Sequence, residues 1–317
     1  MNVYISCVEK GLSHPSSVLV TKFETEGFYT LNLFSNSRSL FSSFRDFIKL
    51  YNYFSLNKNE YINLVSNVNG SLSRFIIIIL CRFFSINKST FYIMDVYPGS
   101  LKFLTNKWWL YYPLFSFMEY ISLLLVDKVI VIDEGFLNLY PLKLFQNKIV
   151  IQRLKFNQPV LPKKNGNFVG IIGNVSNDFL SKNSTLILKT KSIGNLVLAS
   201  SNDLPKWLID ASNVSFIPWE KKDTNVVFNM MKFNLICADY ERLLYCSPSK
   251  IIDSYMRGII PIIFVNDDQY RILKNRDIYK YCFTIHYFLS STDQLLSLNT
   301  SDIVKHGSRW ICNDFDT

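Results

Sequence analysis

Short apolar segments alternate with longer segments of helical periodicity along almost the whole chain. Residues 61–68 have the length and apolar content of a buried strand, whereas 40–54 repeats apolar residues at helical spacing. The series is interrupted once, by the Pro- and Gly-containing stretch 159–167, and then restarts. This pattern predicts an α/β chain of two doubly wound domains, 1–158 and 159–317, with the open alternative that the final helix returns to the first domain.

One helix of the second half carries the most specific pattern. Ser247 is a preferred N-cap residue, and Pro248 follows at a position where a missing N–H costs nothing, so a helix is predicted to begin here. Gly258 predicts a left-handed C-cap. The apolar residues 259–265, with Pro261 near their start, then predict a buried strand.

Lys250 does not fit the first turn of that helix. The helix dipole is positive there, and a cation is unfavourable by roughly 0.3–1 kcal/mol. A capping box would place Glu at this position. A phosphate bound at the helix N-terminus would account for the lysine, and Asp253 lies on the same face one turn later. The alternative is a solvated lysine at a fraying helix end.

The same helix resembles the donor-binding helix of GT-B glycosyltransferases, especially family-4-like enzymes that build bacterial surface polysaccharides. Their pattern is Pro-x-Lys-x-x-Glu-x-x-x-x-Gly-x-Pro. Here it is matched by Pro248, Lys250, Asp253, Gly258 and Pro261, with Asp replacing Glu and one extra residue before the last proline. The resemblance implies two Rossmann-like domains facing a cleft, the first binding acceptor and the second binding nucleotide sugar. It also implies that the lysine contacts the donor diphosphate and the acid holds the ribose hydroxyls.

Further donor-binding residues follow from the resemblance at the predicted strand ends of the second half. A glycine-bearing loop lies beside the pyrophosphate in the family, Trp219 would stack on the nucleobase, and Glu241 would accept bonds from sugar hydroxyls. The structural alternatives are a turn glycine, interdomain packing, a solvated loop acid and, for Ser200, a helix N-cap. The complete predicted donor set is Gly173, Asn174, Ser200, Trp219, Glu241, Ser247, Ser249, Lys250 and Asp253.

Two residues of the first half are candidate general bases. Asp95, at the end of a predicted strand, could take the proton from an acceptor hydroxyl, as inverting enzymes require. Capping of the following turn is the alternative role. His14, in the first strand–helix loop, is the second candidate. Many retaining relatives carry Glu-x7-Glu, but the residue eight positions before Asp253 is Tyr245, so the stereochemical outcome stays open.

Charge and aromatic content indicate the partners. The net charge is +9, and residues 1–160 carry 16 Lys and Arg against 10 Asp and Glu. This excess suits an anionic membrane surface or a phosphorylated acceptor, whereas no nucleic-acid-binding motif is present and nucleic acid is not expected. The apolar segment 108–126 is predicted to be an interfacial helix rather than a membrane span. Its aromatic anchor would be Trp108, Trp109, Tyr111 and Tyr112.

No metal or cofactor is expected. The six cysteines are scattered, which suggests core thiols in a reducing compartment. Asp314-Phe315-Asp316 is at the extreme C-terminus and makes a poor Asp-x-Asp metal pair. Of the other histidines, His286 is predicted to be a core residue in a strand and His306 to lie on a helix surface.

The predicted function is that of a metal-independent, hexosyltransferase-like enzyme. It would transfer a sugar from a nucleotide donor, with UDP-sugar the favoured class, to a polyprenyl-diphosphate-linked glycan or an oligosaccharide. It would act in the cytoplasm, peripherally bound to the inner face of the membrane. Two alternatives remain: a nucleotide-sugar epimerase of similar architecture, and a non-catalytic nucleotide-sugar-binding partner of a membrane glycosyltransferase.

Overall fold

The chain forms two compact units, each with its own parallel sheet. The computed structural model describes residues 1–7, 15–33, 40–68, 70–96, 99, 107–152, 168–173, 175–200, 205–211, 214–218, 224–246 and 248–308. The first unit comprises Met1–Phe156 and Tyr245–Ser247, and the second comprises Asn157–Leu244 and Pro248–Thr317. The predicted fold class of two doubly wound, Rossmann-like domains is confirmed.

The first unit contains a six-stranded parallel sheet in the order β2-β1-β3-β4-β5-β6. Its strands are β1 (Asn2–Ser6), β2 (Tyr29–Asn32), β3 (Asn63–Asn67), β4 (Lys88–Ile93), β5 (Lys128–Val131) and β6 (Ile149–Ile151). Its described helices are α1 (Pro15–Thr25), α2 (Leu40–Leu56), α3 (Ser71–Phe83) and α4 (Trp108–Leu125), followed by 3₁₀ turns at Glu134–Asn138, Leu142–Leu144 and Gln146–Lys148.

The strand order fixes which face each helix covers. The connection from β1 to β2 runs in one direction across the sheet, and the later connections run in the other. Because such crossovers are right-handed, α1 covers one face and α2, α3 and α4 cover the opposite face. In agreement, α3 packs against both α2 and α4. The central strands β1, β3, β4 and β5 are largely buried, as expected for a sheet covered on both sides, whereas the edge strands β2 and β6 are partly exposed.

A buried ion pair joins two helices of the first unit. Arg74 on α3 pairs with Glu119 on α4, and both side chains are almost fully buried. The Arg74 guanidinium also donates to the backbone oxygens of Val68 and Asp95, each at 3.2 Å. These two residues follow β3 and β4, so Arg74 holds the segments that leave the carboxyl ends of neighbouring strands.

The second unit contains a six-stranded parallel sheet in the order β12-β11-β10-β7-β8-β9. Its strands are β7 (Phe168–Ile172), β8 (Leu196–Ser200), β9 (Val214–Pro218), β10 (Met231–Ile236), β11 (Ile260–Ile263) and β12 (Phe283–Thr284). Its described helices are α5 (Asn177–Lys182), α6 (Ser184–Lys189), α7 (Lys206–Ile209), α8 (Thr224–Met230), α9 (Tyr240–Tyr245), α10 (Ser249–Met256), α11 (Asp267–Lys274), α12 (Ile285–Ser290), α13 (Thr292–Leu296) and α14 (Thr300–Ser308). The last residue of α9, Tyr245, belongs to the first unit.

Helix α10 ends as the sequence predicts. Gly258 has φ +63°, its N–H donates to Tyr255 O, and the N–H of Ile259 donates to Ser254 O. This pair of bonds is a Schellman motif. The predicted start is wrong by one residue, because Pro248 itself is the N-cap and its side chain makes no capping bond. Ser247, the predicted N-cap, lies outside the described residues.

The predictions for two histidines are wrong. His286 lies exposed on α12 rather than in a strand core. His306 is buried on α14, where its ring packs against Tyr255 and its Nε2 lies 3.0 Å from Asp277 O. Packing of α14 against α10 explains its burial.

Candidate functional site

The second sheet changes winding direction between β7 and β10, which is where doubly wound sheets bind ligands. Strand β7 ends at Ile172 and is followed by Gly173, whose φ is +88°. The side chain of Lys250, in the first turn of α10, reaches this glycine. A Cβ placed on Gly173 would lie only 3.2 Å from Lys250 Nζ. The two residues that the sequence singled out separately are therefore neighbours at the carboxyl edge of the sheet.

Positive charge accumulates at this edge. Burial lowers the pKa of Lys250, and the nearby Arg242 lowers it further, while the Cys237 thiol has a smaller opposite effect. Among the described residues, no carboxylate forms an ion pair with the Lys250 ammonium. The N-terminus of α10 adds the positive end of a helix dipole and lacks a side-chain cap. An anionic ligand would relieve this repulsion, and a diphosphate has the charge to do so.

The first turn of α10 is held against the sheet by a buried polar chain. Asn234 on β10 donates from Nδ2 to Ser254 Oγ at 2.8 Å. Ser254 Oγ in turn donates to the backbone oxygen of Lys250 at 2.7 Å. Ser254 is fully buried, and its position fixes the turn from which the Lys250 side chain extends.

Asp253 is a partly buried carboxylate one turn after Lys250. Arg257 lies 3.8 Å away on the same helix, and its guanidinium packs over the Phe228 ring at 4.1 Å from the ring centroid. Burial raises the pKa of Asp253 to about 6, although Arg257 acts in the opposite direction. A carboxylate here can accept hydrogen bonds from hydroxyl groups, and its charge changes near neutral pH.

Some of the remaining predicted donor residues can be located in the structure, and others lie outside its described residues. Ser249 is the first residue of α10, and Glu241 lies partly buried in the first turn of α9. Ser200 is the last residue of β8, at the same sheet edge as Gly173. Asn174, Trp219 and Ser247 lie outside the described residues.

In the first unit, Asp95 follows the carboxyl end of β4 by two residues. It is partly buried, and its backbone oxygen accepts a hydrogen bond from Arg74. The second candidate base, His14, lies outside the described residues. The carboxylate candidate is thus at the edge of the first sheet where ligands are expected to bind.

Comparison with solved structures identifies the fold. The lipopolysaccharide outer core galactosyltransferase WaaB matches with a TM-score of 0.58 and 11% identity. The match covers 98% of this chain and 96% of that enzyme. A glycosyltransferase from Rickettsia africae matches with a TM-score of 0.53 and 11% identity over 98% of this chain and 92% of its own. The chain has the GT-B fold. No protein-family model matches the sequence, and no curated protein is similar to it in sequence.

The GT-B fold is shared with another enzyme class. UDP-GlcNAc 2-epimerase from Neisseria meningitidis, in a structure with bound UDP-GlcNAc, matches with a TM-score of 0.54 and 11% identity. The match covers 97% of this chain and 94% of that enzyme. At such identities the likeness establishes the fold, and the chemistry has to be argued from the side chains.

Arg242 belongs to the candidate donor site of this GT-B chain but was not among the residues predicted from the sequence. It is exposed on α9 and acts electrostatically on Lys250. Its only sequence signal is its position in the short segment between β10 and α10, directly after Glu241. That signal is weak because nothing in the sequence shows that Arg242 is close enough to Lys250 to lower its pKa.

Tyr245 occupies the position where many retaining GT-B enzymes of the resembling family carry a glutamate. Its backbone oxygen accepts a hydrogen bond from Val96 N at 2.7 Å. A Cβ on Gly99 would overlap its ring. Tyr245 is therefore a packed residue of the first unit. Within the described residues, no group of three or more His, Cys, Asp or Glu side chains could hold a metal ion.

Proposed function

We propose that this chain is a glycosyltransferase that uses a nucleotide-sugar donor. The observation that carries the proposal is the approach of the Lys250 ammonium to Gly173 beside Arg242 and an uncapped helix N-terminus. A glycine with positive φ lets backbone N–H groups approach a phosphate closely. The two cations would neutralise the diphosphate as it leaves, which is the main electrostatic demand of the reaction. The proposal includes no metal, because these groups can supply the required positive charge.

The donor proposed is a uridine diphosphate sugar. Its diphosphate would lie over Gly173, and the Asp253 carboxylate would accept hydrogen bonds from the ribose hydroxyls. The likeness to an epimerase structure that holds UDP-GlcNAc supports this choice of donor class. Ser200, at the same edge, would lie near the nucleoside.

The acceptor is proposed to be a lipid-linked glycan that binds the first unit. Asp95 would take the proton of the attacking hydroxyl as that oxygen bonds to the anomeric carbon. The bond from the anomeric carbon to the diphosphate would break, and its electron pair would stay on the diphosphate. A base acting directly on the acceptor corresponds to inversion.

A nucleotide-sugar epimerase is the second candidate, since two UDP-N-acetylglucosamine 2-epimerases share the fold. An epimerase would convert the nucleotide sugar in the absence of an acceptor. Product analysis by NMR separates the two: an epimerase yields an intact nucleotide sugar with altered configuration, and a transferase releases nucleotide only when an acceptor is present. A binding subunit would do neither.

Calorimetric titration with UDP, dTDP and GDP tests the donor site. We expect one nucleotide to bind with micromolar affinity and Lys250→Ala to weaken it at least tenfold, about 1.4 kcal/mol. Arg242→Ala should weaken binding in the same direction. Lys189→Ala is the matched control, because Lys189 is an exposed lysine at the end of α6. Added EDTA should leave the wild-type affinity unchanged.

Two results would contradict the proposal. Equal affinities of wild type and Lys250→Ala would place the phosphate elsewhere. If the protein binds none of the three nucleotides, it has no nucleotide-sugar donor site. Unfolding curves for each variant would show that any lost affinity does not come from lost structure.

A further inference from the structure

Helix α4 has its polar residues inside and its apolar residues outside. Its buried residues are Ser116, Glu119, Ser122 and Leu123. Its outward stripe consists of Leu110, Leu114, Phe117 and Leu124, at helical spacings that keep them on one face. Phe117 is 59% exposed, and Trp109, at the start of the helix, is 62% exposed. A surface helix of a globular protein normally has the opposite arrangement.

The inward polar groups have partners within the protein. Glu119 pairs with Arg74 of α3, and Ser122 Oγ donates to Met118 O at 2.7 Å. At the C-terminal end of α4, the Lys148 ammonium donates to Leu124 O at 2.7 Å and to Val126 O at 3.0 Å, and Arg82 bonds to Leu125 O. The end of the helix therefore needs little water to satisfy its backbone, and the outward face can enter an apolar medium.

The apolar surface continues onto the two neighbouring helices of the same layer. Phe44, Ile48 and Tyr51 of α2 are exposed, as are Ile79 and Phe83 of α3. Their rings form a continuous series of contacts from Phe44 through Phe47 and Tyr51 to Phe83. On an ordinary protein surface the exposed apolar residues are scattered singly, whereas here they spread over three neighbouring helices.

The exposed charges within these three helices are all positive. They are Arg45, Lys49 and Arg82. Arg82 pairs with the exposed Asp127 just beyond α4, so Arg45 and Lys49 supply the net positive charge of the surface. The acidic residues of the same helices, Asp46 and Glu119, are both buried. Two copies of this surface would repel each other, whereas an anionic lipid surface would attract it.

We propose that the outer face of α2, α3 and α4 docks on an anionic lipid bilayer, with α4 lying in the plane of the interface. No helix among the described residues is both long and apolar enough to cross a membrane. Aromatic rings at one end, an aliphatic stripe and flanking cations are the features of an interfacial helix. The inference rests on the proposed function in one respect, because a lipid-linked acceptor gives the enzyme a reason to be at the membrane.

Flotation of the purified full chain with lipid vesicles tests the docking surface. We expect weak binding to phosphatidylcholine vesicles and at least tenfold stronger partitioning when phosphatidylglycerol is included. Leu114→Glu with Phe117→Glu should reduce partitioning at least tenfold. The matched control is Ile209→Glu with Ile272→Glu, which alters two exposed aliphatic residues of the second unit and should leave partitioning unchanged. Arg45→Gln with Lys49→Gln should reduce the preference for anionic lipid.

Each contrary outcome identifies a different error. Equal partitioning of the α4 variant and the wild type overturns the proposed surface. Concentration-dependent association of the wild type without lipid, lost in the α4 variant, would make a second copy of the chain the occupant and also overturns it. Nucleotide binding separates this inference from the donor site. The Leu114→Glu/Phe117→Glu and Arg45→Gln/Lys49→Gln variants should both bind nucleotide with wild-type affinity. A wild-type protein that binds no nucleotide refutes the proposed function without affecting the lipid result.

Discussion

Replacing Gly173 by alanine tests whether the donor diphosphate lies over the end of β7. The residue has φ +88°, a conformation that costs an L-residue roughly 1–2 kcal/mol. The new Cβ would lie 3.2 Å from Lys250 Nζ and 3.3 Å from its Cε, closer than side chains normally approach. The lysine end can move by a few tenths of an ångström, so the variant should fold with a modest loss of stability.

Its effect on binding should be larger. A hydrogen bond to a charged group contributes about 1.5–3 kcal/mol, and the methyl group would both displace the Lys250 ammonium and occupy the surface that the phosphate approaches. We therefore expect Gly173→Ala to weaken nucleotide binding by about 1.4–2.8 kcal/mol, a ten- to hundredfold rise in Kd.

Gly27→Ala supplies the matched control for this experiment. Gly27 has φ +80°, but a Cβ there would have no heavy atom within 4 Å. It should show a similar backbone penalty in urea unfolding and an unchanged Kd in calorimetry. If Gly173→Ala binds nucleotide as tightly as Gly27→Ala and the wild type, the diphosphate does not lie over Gly173 or beside the Lys250 ammonium.

Two further predictions concern charged groups. Asp253 has a folded-state pKa of about 6, raised above the ordinary 3.8, so its contribution to stability is fully present below about 3.8 and is lost as pH rises through about 6. Nucleotide affinity should change in the opposite sense, falling as pH decreases through about 6. Because the terminal phosphate of the nucleotide also gains a proton near pH 6, calorimetry on Asp253→Asn should give weaker binding with a smaller pH dependence than in the wild type. Arg74→Met should destabilise the first unit by about 3–5 kcal/mol because it leaves Glu119 buried without a partner, and adding Glu119→Leu should recover most of the loss. Hydrogen exchange of β3 and β4 measures this change, and a double variant no more stable than the single one would contradict it.

The sequence predicts most of the fold because local patterns and tertiary packing agree. The alternation of strands and helices specifies both parallel sheets, and the glycine after α10 specifies the turn that ends the helix. The approach of Lys250 to Gly173 follows from the same logic, since a strand end and a following helix start lie at one edge of a doubly wound sheet.

The features that were missed depend on contacts between distant parts of the chain. His306 is buried because α14 packs on α10, and no periodicity within α14 indicates this. Arg242 acts on Lys250 only because the short helix α9 brings it near. An interfacial helix over 108–126 is predicted from the sequence, but the inward direction of Glu119 is not, because its partner Arg74 lies 45 residues earlier in the chain.

The buried Arg74–Glu119 pair connects the two proposed activities of the first unit. Glu119 extends from the inner side of α4, whose outer side is the proposed lipid-binding stripe. Arg74 binds both this carboxylate and the backbone oxygen of Asp95, the candidate base. A polar residue on the inner side of α4 therefore anchors the helix to the sheet edge without placing charge on the face that meets lipid. This arrangement gives a physical reason for a buried ion pair at a position where an apolar contact would have a lower free-energy cost of desolvation.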